Sequence, residues 1–401
     1  MENKGLNYTC LFGGGAIRGL AYIGAAKALE ELDIKPKRFV GSSVGSIIAS
    51  LLAIGYDADG IKKSFIDVNY NLFKDIQLGF GPLIALSKGN VFLDWLRDAI
   101  ESKFYGEKYE KGKNEPVKFK DIDNDLIIIT TDLENFQCQE FSKYATPNFE
   151  IASAIRISSC MPGLMKPVEY EGRILVDGDL QKSVPMWKLS PNILIPDERI
   201  LEFRLEGDFN KDANMKNGMD YANAVYSCMT SMSTDFIKHV YGNKDKFDYI
   251  VLNTGDILIV DFNTPMEKRE EIVDMGYNQT LDYFRKKLPD KKKKILDNYN
   301  IIQGHLLRIQ NQIKLNNLKK VQLEIGELFI NLSELYQIID LANYNDIKHF
   351  KDLFYSNLSN VKIFGIVRLK NKKTVEIFLS ELLKTIEFKI DELDCYIKNS
   401  K

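Results

Sequence analysis

The residue best suited to chemistry is Ser43, a serine bracketed by glycines in the stretch "GSSVG" at positions 41–45. The pattern is G-x-S-x-G, in which Gly41 and Gly45 leave room for a sharp turn that projects the serine. An apolar "KRFV" precedes the turn and a helix-like "GSIIASLLAIG" follows it, as this nucleophile elbow requires. The plainer alternative is a glycine-rich turn that only lets a helix and a strand pack together.

A second glycine-rich stretch, "LFGGGAIRG" at positions 11–19, follows the first apolar run of the chain. A dinucleotide-binding fold would need an acidic residue at the end of the next strand, where this chain reads "GSS" at 41–43. A P-loop would close in G-K-[ST], whereas this stretch closes in Arg18 and Gly19. The remaining interpretation is an oxyanion hole of bare backbone N–H groups, lying beside the serine at one edge of a sheet.

A base that activates Ser43 is the next requirement, and histidine is a common one. The chain has three histidines, His239, His305 and His349, and none follows a predicted parallel strand. Asp177, in "ILVDGDL", lies at the end of a predicted strand, where a buried turn would orient its carboxylate. We therefore favour a carboxylate base, while a Ser–His–Asp triad through His239 and a plain Asp-Gly turn stay open.

The elements that must position these residues alternate between strand and helix. Residues 8–55 read strand, turn, helix, strand, turn, helix, which predicts parallel strands joined by crossover helices. Further strands are predicted in "DLIIITTDL", "QCQEFS", "GRILVDGDL", "RILEFRL" and "YIVLN", with a short helix in "IASAIRISSCMPG" and a long one at 214–242. The predicted fold class is therefore α/β over residues 1–289, with a mostly parallel sheet flanked by helices.

From about residue 290 the strand signals almost vanish, which predicts an all-helical C-terminal region, 290–401. Within it, apolar residues alternate spacings of 3 and 4 along one seam. The residues of this seam are Leu318, Val321, Ile325, Leu328, Leu332, Leu335 and Ile339. The seam fits self-association or partner binding, but helices of the same chain at 302–313 or 379–393 favour intramolecular packing.

Together these stretches resemble the patatin-like phospholipases. That family has a glycine-rich loop with a basic residue before its last glycine, here Arg18 and Gly19, followed by a G-x-S-x-G elbow. It also has an Asp-Gly turn, here Asp177 and Gly178. The resemblance implies a three-layer α/β fold in which Ser43 is the nucleophile and Asp177 the base of a Ser–Asp dyad. It further implies an oxyanion hole formed by Gly13, Gly14 and Gly15.

The resemblance spans residues 8–190 and has two departures from the family pattern. Ala16 stands where the second fixed glycine of the loop is expected, and a positive φ there would cost about 1 kcal/mol or more. Asp179 stands where the Asp-Gly turn has a small residue. Two carboxylates this close would raise the pKa of one of them, unless Asp179 points to solvent.

The activity implied by the resemblance is that of a lipid acyl hydrolase of the phospholipase A or lysophospholipase type. Its substrate would be a membrane phospholipid or another fatty-acyl ester, reached by peripheral membrane contact, and it needs neither a metal nor an organic cofactor. The apolar stretch 71–96 and the basic run 285–294 are candidate membrane contacts, although a core-packed insertion and a solvated linker are the plainer interpretations. A catalytically silent binding module and a conventional α/β-hydrolase using His239 are the alternatives.

Composition adds few constraints. The 401 residues carry a formal net charge of −2, which does not indicate nucleic-acid binding. Five scattered cysteines form no CxxC pair, so we expect reduced thiols and no zinc site. The start "MENKGLNYTC" lacks the apolar core of a signal peptide, and no run is long enough to span a bilayer, so we expect a cytoplasmic location.

Overall fold

The computed structural model describes residues 7–69, 87–181, 198–207, 245–257, 263–335, 341–361 and 366–399. The chain divides into two compact units. The larger unit holds residues 2–239 and 246–283, and the smaller is built mainly from 240–245 and 284–401. This division falls a few residues before the boundary expected at 289. The assignment of the larger part as a catalytic domain stays a prediction.

A mixed, mostly parallel sheet forms the centre of the larger unit. Its strands are β1 (Asn7–Phe12), β2 (Arg38–Ser42), β3 (Asp125–Asp132), β4 (Gln137–Ser142), β5 (Val168–Tyr170), β6 (Arg173–Val176), β7 (Glu198–Glu206) and β8 (Phe247–Asn253). The order across the sheet is β5-β6-β3-β2-β1-β7-β8, with β4 also paired to β3. The run β3-β2-β1-β7-β8 is parallel, whereas β4, β5 and β6 make antiparallel pairs. The predicted fold class is confirmed.

Helices flank this sheet in two groups. They are α1 (Leu20–Glu31), α2 (Val44–Ile54), α3 (Ala58–Phe65), α4 (Asn90–Tyr105), α5 (Ile151–Ser158) and α6 (Met266–Asp282). α1 packs with α3 and α6, and α2 packs with α4 and α5. α1 and α6 meet backbone to backbone, because a Cβ atom at Gly24 or Gly276 would lie 1.9 Å from a carbonyl oxygen of the other helix.

Two sequence predictions lie wholly or partly beyond the described residues. The long helix predicted at 214–242 is outside them, and so is most of the apolar stretch 71–96, of which the end forms the start of α4. Among the described helices, none has both the length and the apolar character needed to cross a membrane.

The register of the parallel strands brings the glycine loop and the elbow together. Phe12, the last residue of β1, pairs with Gly41 of β2 on one side and with Phe203 of β7 on the other. Because parallel strands end at the same edge, the loop after β1 and the turn after β2 leave the sheet side by side. Phe12 is fully buried and its ring stacks on that of Phe203, with the centroids 5.2 Å apart. Burial of each ring stabilises this edge by about 1.5–3 kcal/mol.

The smaller unit is helical, as predicted, and contains one unpredicted hairpin. Its elements are α7 (Leu288–Lys314), α8 (Leu318–Leu335), α9 (Leu341–Asn357), β9 (Leu358–Val361), β10 (Ile366–Leu369) and α10 (Lys372–Asn399), with β9 and β10 antiparallel. The seam from Leu318 to Leu332 is buried in one core with side chains of α7, α9 and α10. The intramolecular interpretation therefore holds for these residues. The side chains of Leu335 and Ile339 lie outside the described part.

The basic run 285–294 is helical, so its interpretation as a linker was wrong, whereas most of its basic side chains are exposed as a solvated run would be. A π-helical turn, Tyr283–Lys287, leads directly into α7. Lys292 of this run is buried and paired with the buried Asp245, which also pairs with Lys389 of α10. The two ammonium groups outweigh the effect of burial and hold the pKa of Asp245 far below its usual range. A buried ion-pair network, and not solvation, accounts for lysine at position 292.

Candidate active site

Ser43 lies on the turn between β2 and α2, in a backbone conformation that residues other than glycine rarely adopt. Its φ is 51° and its ψ is −131°, a strain that costs about 1–3 kcal/mol. The Ser43 N–H donates to Ser158 Oγ at 3.0 Å, and Ser158 Oγ donates to the Ile129 carbonyl at 2.6 Å. The Ser43 carbonyl accepts from the backbone N–H of Ser46 at 2.9 Å and from its Oγ at 2.6 Å. The strained turn is therefore fastened to both a neighbouring strand and its own helix.

Close approach of the backbone explains the glycines of the elbow and of the Asp-Gly turn. A Cβ atom at Gly45 would lie 2.1 Å from the Phe12 carbonyl oxygen, and one at Gly41 would lie 2.5 Å from the Gly45 carbonyl oxygen. A Cβ atom at Gly178 would lie 2.1 Å from the carbonyl oxygen of Ile129 in β3. Side chains at these positions would push the elbow away from the end of β1 and the Asp-Gly turn away from β3. Glycine is therefore needed for these segments to pack closely.

Asp177 follows β6 and lies directly beside Ser43. Ser43 Oγ donates a hydrogen bond to Asp177 Oδ2 at 2.7 Å. The second carboxylate oxygen, Oδ1, accepts from the backbone N–H of Asp179 at 2.9 Å. The Asp177 N–H donates to the Cys160 carbonyl at 2.9 Å, which fixes the turn against the end of α5. The two residues expected to act as nucleophile and base are thus in direct contact.

Burial sets the electrostatics of this pair. Asp177 is fully buried and Ser43 is 5% exposed. Burial and the charge of Asp179 together raise the pKa of Asp177 to about 7, against hydrogen bonds from the Asp179 N–H and Ser43 that favour the ionised form. A base with a pKa near neutrality can both accept a proton and return it. Asp179 is itself buried, so it does not point to solvent.

The glycine loop after β1 lies against the elbow, since a Cβ atom at Gly45 would lie 2.6 Å from the Gly13 carbonyl oxygen. The N–H groups of Gly14 and Gly15 donate to no group of the described residues, whereas that of Gly13 donates to the Phe203 carbonyl at 3.4 Å. Gly15 has a φ of 150°, a value that favours glycine. We therefore regard Gly14 and Gly15 as better candidate oxyanion donors than Gly13.

The end of the loop is strained at Ala16 and anchored by Arg18. Ala16 has a φ of 46°, a positive value that costs a residue other than glycine about 1 kcal/mol or more. Arg18 is buried, and its Nε donates to the Ile257 carbonyl at 2.7 Å. Burial lowers the pKa of Arg18 to about 10. A Cβ atom at Gly19 would lie 2.3 Å from a methyl carbon of Val44, so the loop is also packed against the start of α2.

In the ranges that the structure describes, no histidine is bonded to Ser43 or Asp177. His305 and His349 both belong to the smaller unit, and His349 packs on the ring of Phe378 there. His239 lies outside the described residues, so the triad alternative stays untested.

One group in the smaller unit brings together three side chains of the types that bind metals: His305, Glu324 and Glu327. Protein contacts already occupy most of it. His305 Nδ1 lies 2.7 Å from Glu324 Oε1, and Arg308 pairs with the same carboxylate. The amide of Asn331 meets His305 Nε2 at 2.8 Å. The group is therefore a hydrogen-bonded network of the helical core.

Two neighbours of the dyad were missed from the sequence. Ser158 Oγ accepts the hydrogen bond from the Ser43 N–H, and no sequence pattern around Ser158 indicates this role. Arg204 of β7 has its Nη1 3.6 Å from Asp179 Oδ1 and donates from Nε to Glu202 Oε1 at 2.7 Å. A signal for Arg204 was present in "RILEFRL", where opposite charges stand two residues apart inside an apolar strand.

Residues 11–189 match the family model for patatin-like phospholipases. An uncharacterized protein of Acanthamoeba polyphaga mimivirus is 29% identical over 272 residues, which cover 66% of this chain and 89% of that protein. A probable lipid hydrolase of Invertebrate iridescent virus 6 is 25% identical over 191 residues, covering 44% of this chain and 61% of that protein. The crystal structure of VipD from Legionella pneumophila is similar at 15% identity with a TM-score of 0.49, over 96% of this chain and 88% of that one.

Proposed function

We propose that this chain is a lipid acyl hydrolase of the phospholipase A or lysophospholipase type, acting through a Ser43 acyl-enzyme with Asp177 as the base. The observation that carries the proposal is the 2.7 Å hydrogen bond from Ser43 Oγ to Asp177 Oδ2 at a strained elbow. The match of residues 11–189 to the family model for patatin-like phospholipases supports a fatty-acyl ester as the substrate, and so does the relative named a probable lipid hydrolase.

Acylation would begin with transfer of the Ser43 hydroxyl proton to Asp177 Oδ2. The serine oxygen then attacks the acyl carbon of the ester, whose carbonyl oxygen becomes an oxyanion facing the N–H groups of Gly14 and Gly15. Collapse of this intermediate breaks the ester bond, and Asp177 returns the proton to the leaving alcohol. The products of this half-reaction are the acyl-enzyme and the deacylated lipid.

Deacylation would repeat these steps with water as the nucleophile. Asp177 takes a proton from water, the hydroxide attacks the acyl-enzyme, and the returning proton regenerates Ser43 as the fatty acid leaves. One carboxyl group thus acts in turn as base and acid, for which a pKa of about 7 is suited. Because the lipid lies in a membrane, we expect the protein to meet the membrane peripherally. The location that we propose is the cytoplasm. No step of this mechanism calls on a metal or an organic cofactor.

The test combines hydrolysis of a p-nitrophenyl fatty ester with covalent labelling by a fluorophosphonate. We expect Ser43→Ala to lose both, with hydrolysis falling by about 10⁴-fold, because no other group can form the acyl-enzyme. The matched control is Ser50→Ala, which removes a buried serine hydroxyl from α2, the helix that follows the elbow. Among the described residues, this hydroxyl donates to the Ser46 carbonyl. This variant should keep both activities. Substantial hydrolysis by folded Ser43→Ala protein would refute the assignment.

The two alternatives give different outcomes in the same assays. A catalytically silent binding module would not be labelled by the fluorophosphonate at Ser43. An α/β-hydrolase that uses His239 would be labelled, but His239→Ala would abolish its activity, whereas a Ser–Asp enzyme should keep it. Comparing the lipids of membranes treated with wild type and with Ser43→Ala would then identify the lipid class.

A further inference from the structure

Asp179 occupies one of the two positions at which this chain departs from the family pattern, and a continuous set of contacts joins it to Ser43 and Asp177. Its backbone N–H donates to Asp177 Oδ1 at 2.9 Å. Its side-chain Oδ1 accepts from Ser42 Oγ at 2.9 Å and lies 3.6 Å from Arg204 Nη1. The residue is 3% exposed. A second buried carboxylate this close to a catalytic one needs a counter-charge, because burial without pairing is very unfavourable.

Arg204 supplies that counter-charge from β7. Its guanidinium is buried, and it packs so tightly against the glycine loop that a Cβ atom at Gly13 would lie 2.1 Å from Nη1. Gly13 is therefore glycine because the guanidinium fills the space of a side chain. The other acidic partner, Glu202, accepts from Arg204 Nε, but burial raises the pKa of Glu202 and weakens it as an anion. Asp179 is thus the partner that ties Arg204 to the dyad.

We propose that Arg204 and Asp179 form a positioning pair, in which Arg204 holds the Asp179 carboxylate where it controls how readily Asp177 takes the Ser43 proton. The inference rests on the proposed function, because it concerns the proton that Ser43 gives up. Neither member of the pair touches the reacting atoms, so both act through Asp177.

The expected direction follows from the charges around Asp177. The groups that face Asp177 are the Ser43 hydroxyl, Cys160 and Asp179. The groups that face Asp179 and Arg204 are Ser42, Glu202, Tyr22 and Tyr249. Of these, Asp179 is the anion that makes ionisation of Asp177 harder. Removing its charge while keeping its shape should let Asp177 act as a base at lower pH.

The test is the acid limb of the pH profile of kcat/KM. In wild type this limb should fall near pH 7, and in Asp179→Asn it should move down by about 1 pH unit. Arg204→Lys keeps the charge and should leave the limb close to wild type. The matched control is Glu202→Gln, which alters the other carboxylate on Arg204 but does not face Asp177, and its limb should stay in place.

A double-variant cycle tests the pairing itself. Arg204→Met leaves Asp179 buried without its counter-charge and should lower the urea midpoint strongly, whereas adding Asp179→Asn should recover part of that loss. If Asp179→Asn alone does not fold, the double variant replaces it in the pH profile of kcat/KM. The acid limb of the double variant should then fall between that of wild type and the position expected for Asp179→Asn.

The outcomes separate this inference from the proposed function. Ser43-dependent hydrolysis with an unmoved limb in Asp179→Asn would refute the inference and leave the function standing, as would additive losses in the double-variant cycle. Absence of Ser43-dependent hydrolysis in wild type would overturn both.

Discussion

Asp177→Asn should abolish activity and yet make the protein more stable, because the folded state holds a carboxylate where burial opposes its charge. Its pKa is raised from 3.8 to about 7. At about 1.4 kcal/mol for each pKa unit, ionised Asp177 therefore destabilises the fold by about 4 kcal/mol above pH 7. The pKa of about 7 already includes the hydrogen bonds from the Asp179 N–H and Ser43 that favour the ionised form. Asparagine stands in for the neutral carboxyl group, so the gain should be at most about 4 kcal/mol.

The pH dependence gives this prediction its sign. Between pH 4 and 7 the folded state keeps a proton on Asp177 that the unfolded state has lost, so wild-type stability falls as pH rises through this window. Asp177→Asn has no carboxylate to ionise and so does not lose stability in this window. It should be as stable as wild type near pH 4 and should reach its full gain in the free energy of unfolding above pH 7.

Urea unfolding followed by tryptophan fluorescence at pH 4.5 and pH 8.5 measures the effect. The two tryptophans, Trp95 and Trp187, both precede residue 239, so the signal reports on the larger unit. The control is Asp132→Asn. Burial opposes ionisation there too, but hydrogen bonds from Asn135 and Glu134 outweigh it and hold the pKa low. This variant should be less stable than wild type at both pH values. Equal stability of Asp177→Asn and wild type at pH 8.5 would show that the reasoning is wrong.

Three other predictions concern backbone and core. Ser43→Gly and Ser43→Ala should both be inactive, but Ser43→Gly should be more stable than Ser43→Ala in urea by about 1 kcal/mol, because only glycine adopts a φ of 51° without strain. Equal urea midpoints of the two variants would argue against strain at the elbow. Gly178→Ala should lose activity and stability together, since its Cβ would lie 2.1 Å from the Ile129 carbonyl oxygen, and a fully active variant would contradict this packing. In the smaller unit, Leu328→Ala should cost about 2–5 kcal/mol by thermal unfolding, whereas Leu323→Ala, at a position 68% exposed, should change little; similar losses would mean that the seam is not the core.

The sequence was sufficient for the parts of the site that depend on local chain geometry. An apolar run that ends in glycine and is followed by a helical pattern predicts a parallel strand and its crossover, and two such units predict that their ends meet. The pairing of Phe12 with Gly41 is that meeting. The Asp-Gly signature at Asp177 was equally local, and its contact with Ser43 followed from the family resemblance.

Features that depend on tertiary contacts were beyond its reach. The role of Arg204 depends on β7 pairing with β1, which brings together segments about 190 residues apart. The burial of Lys292 depends on its ion pair with Asp245, which precedes it by 47 residues. Because the local sequence does not show this partner, the run of lysines was interpreted as solvated. The hairpin of β9 and β10 is only four residues long in each strand, too short for an alternating pattern to stand out among helices.

The hydrogen bond between Ser43 and Asp177 spans 134 residues of chain, which has a consequence for the order of events in folding. A contact of such long sequence separation pays a large loop-closure entropy, so it forms after local helices and turns have done so. Helix formation, seen by far-ultraviolet circular dichroism, would therefore precede the appearance of a nucleophilic serine when the unfolded chain is diluted from denaturant. Reactivity of Ser43 would report that the elbow and the Asp-Gly turn have met, and a growing chain on the ribosome would stay without its dyad until Asp177 had been made.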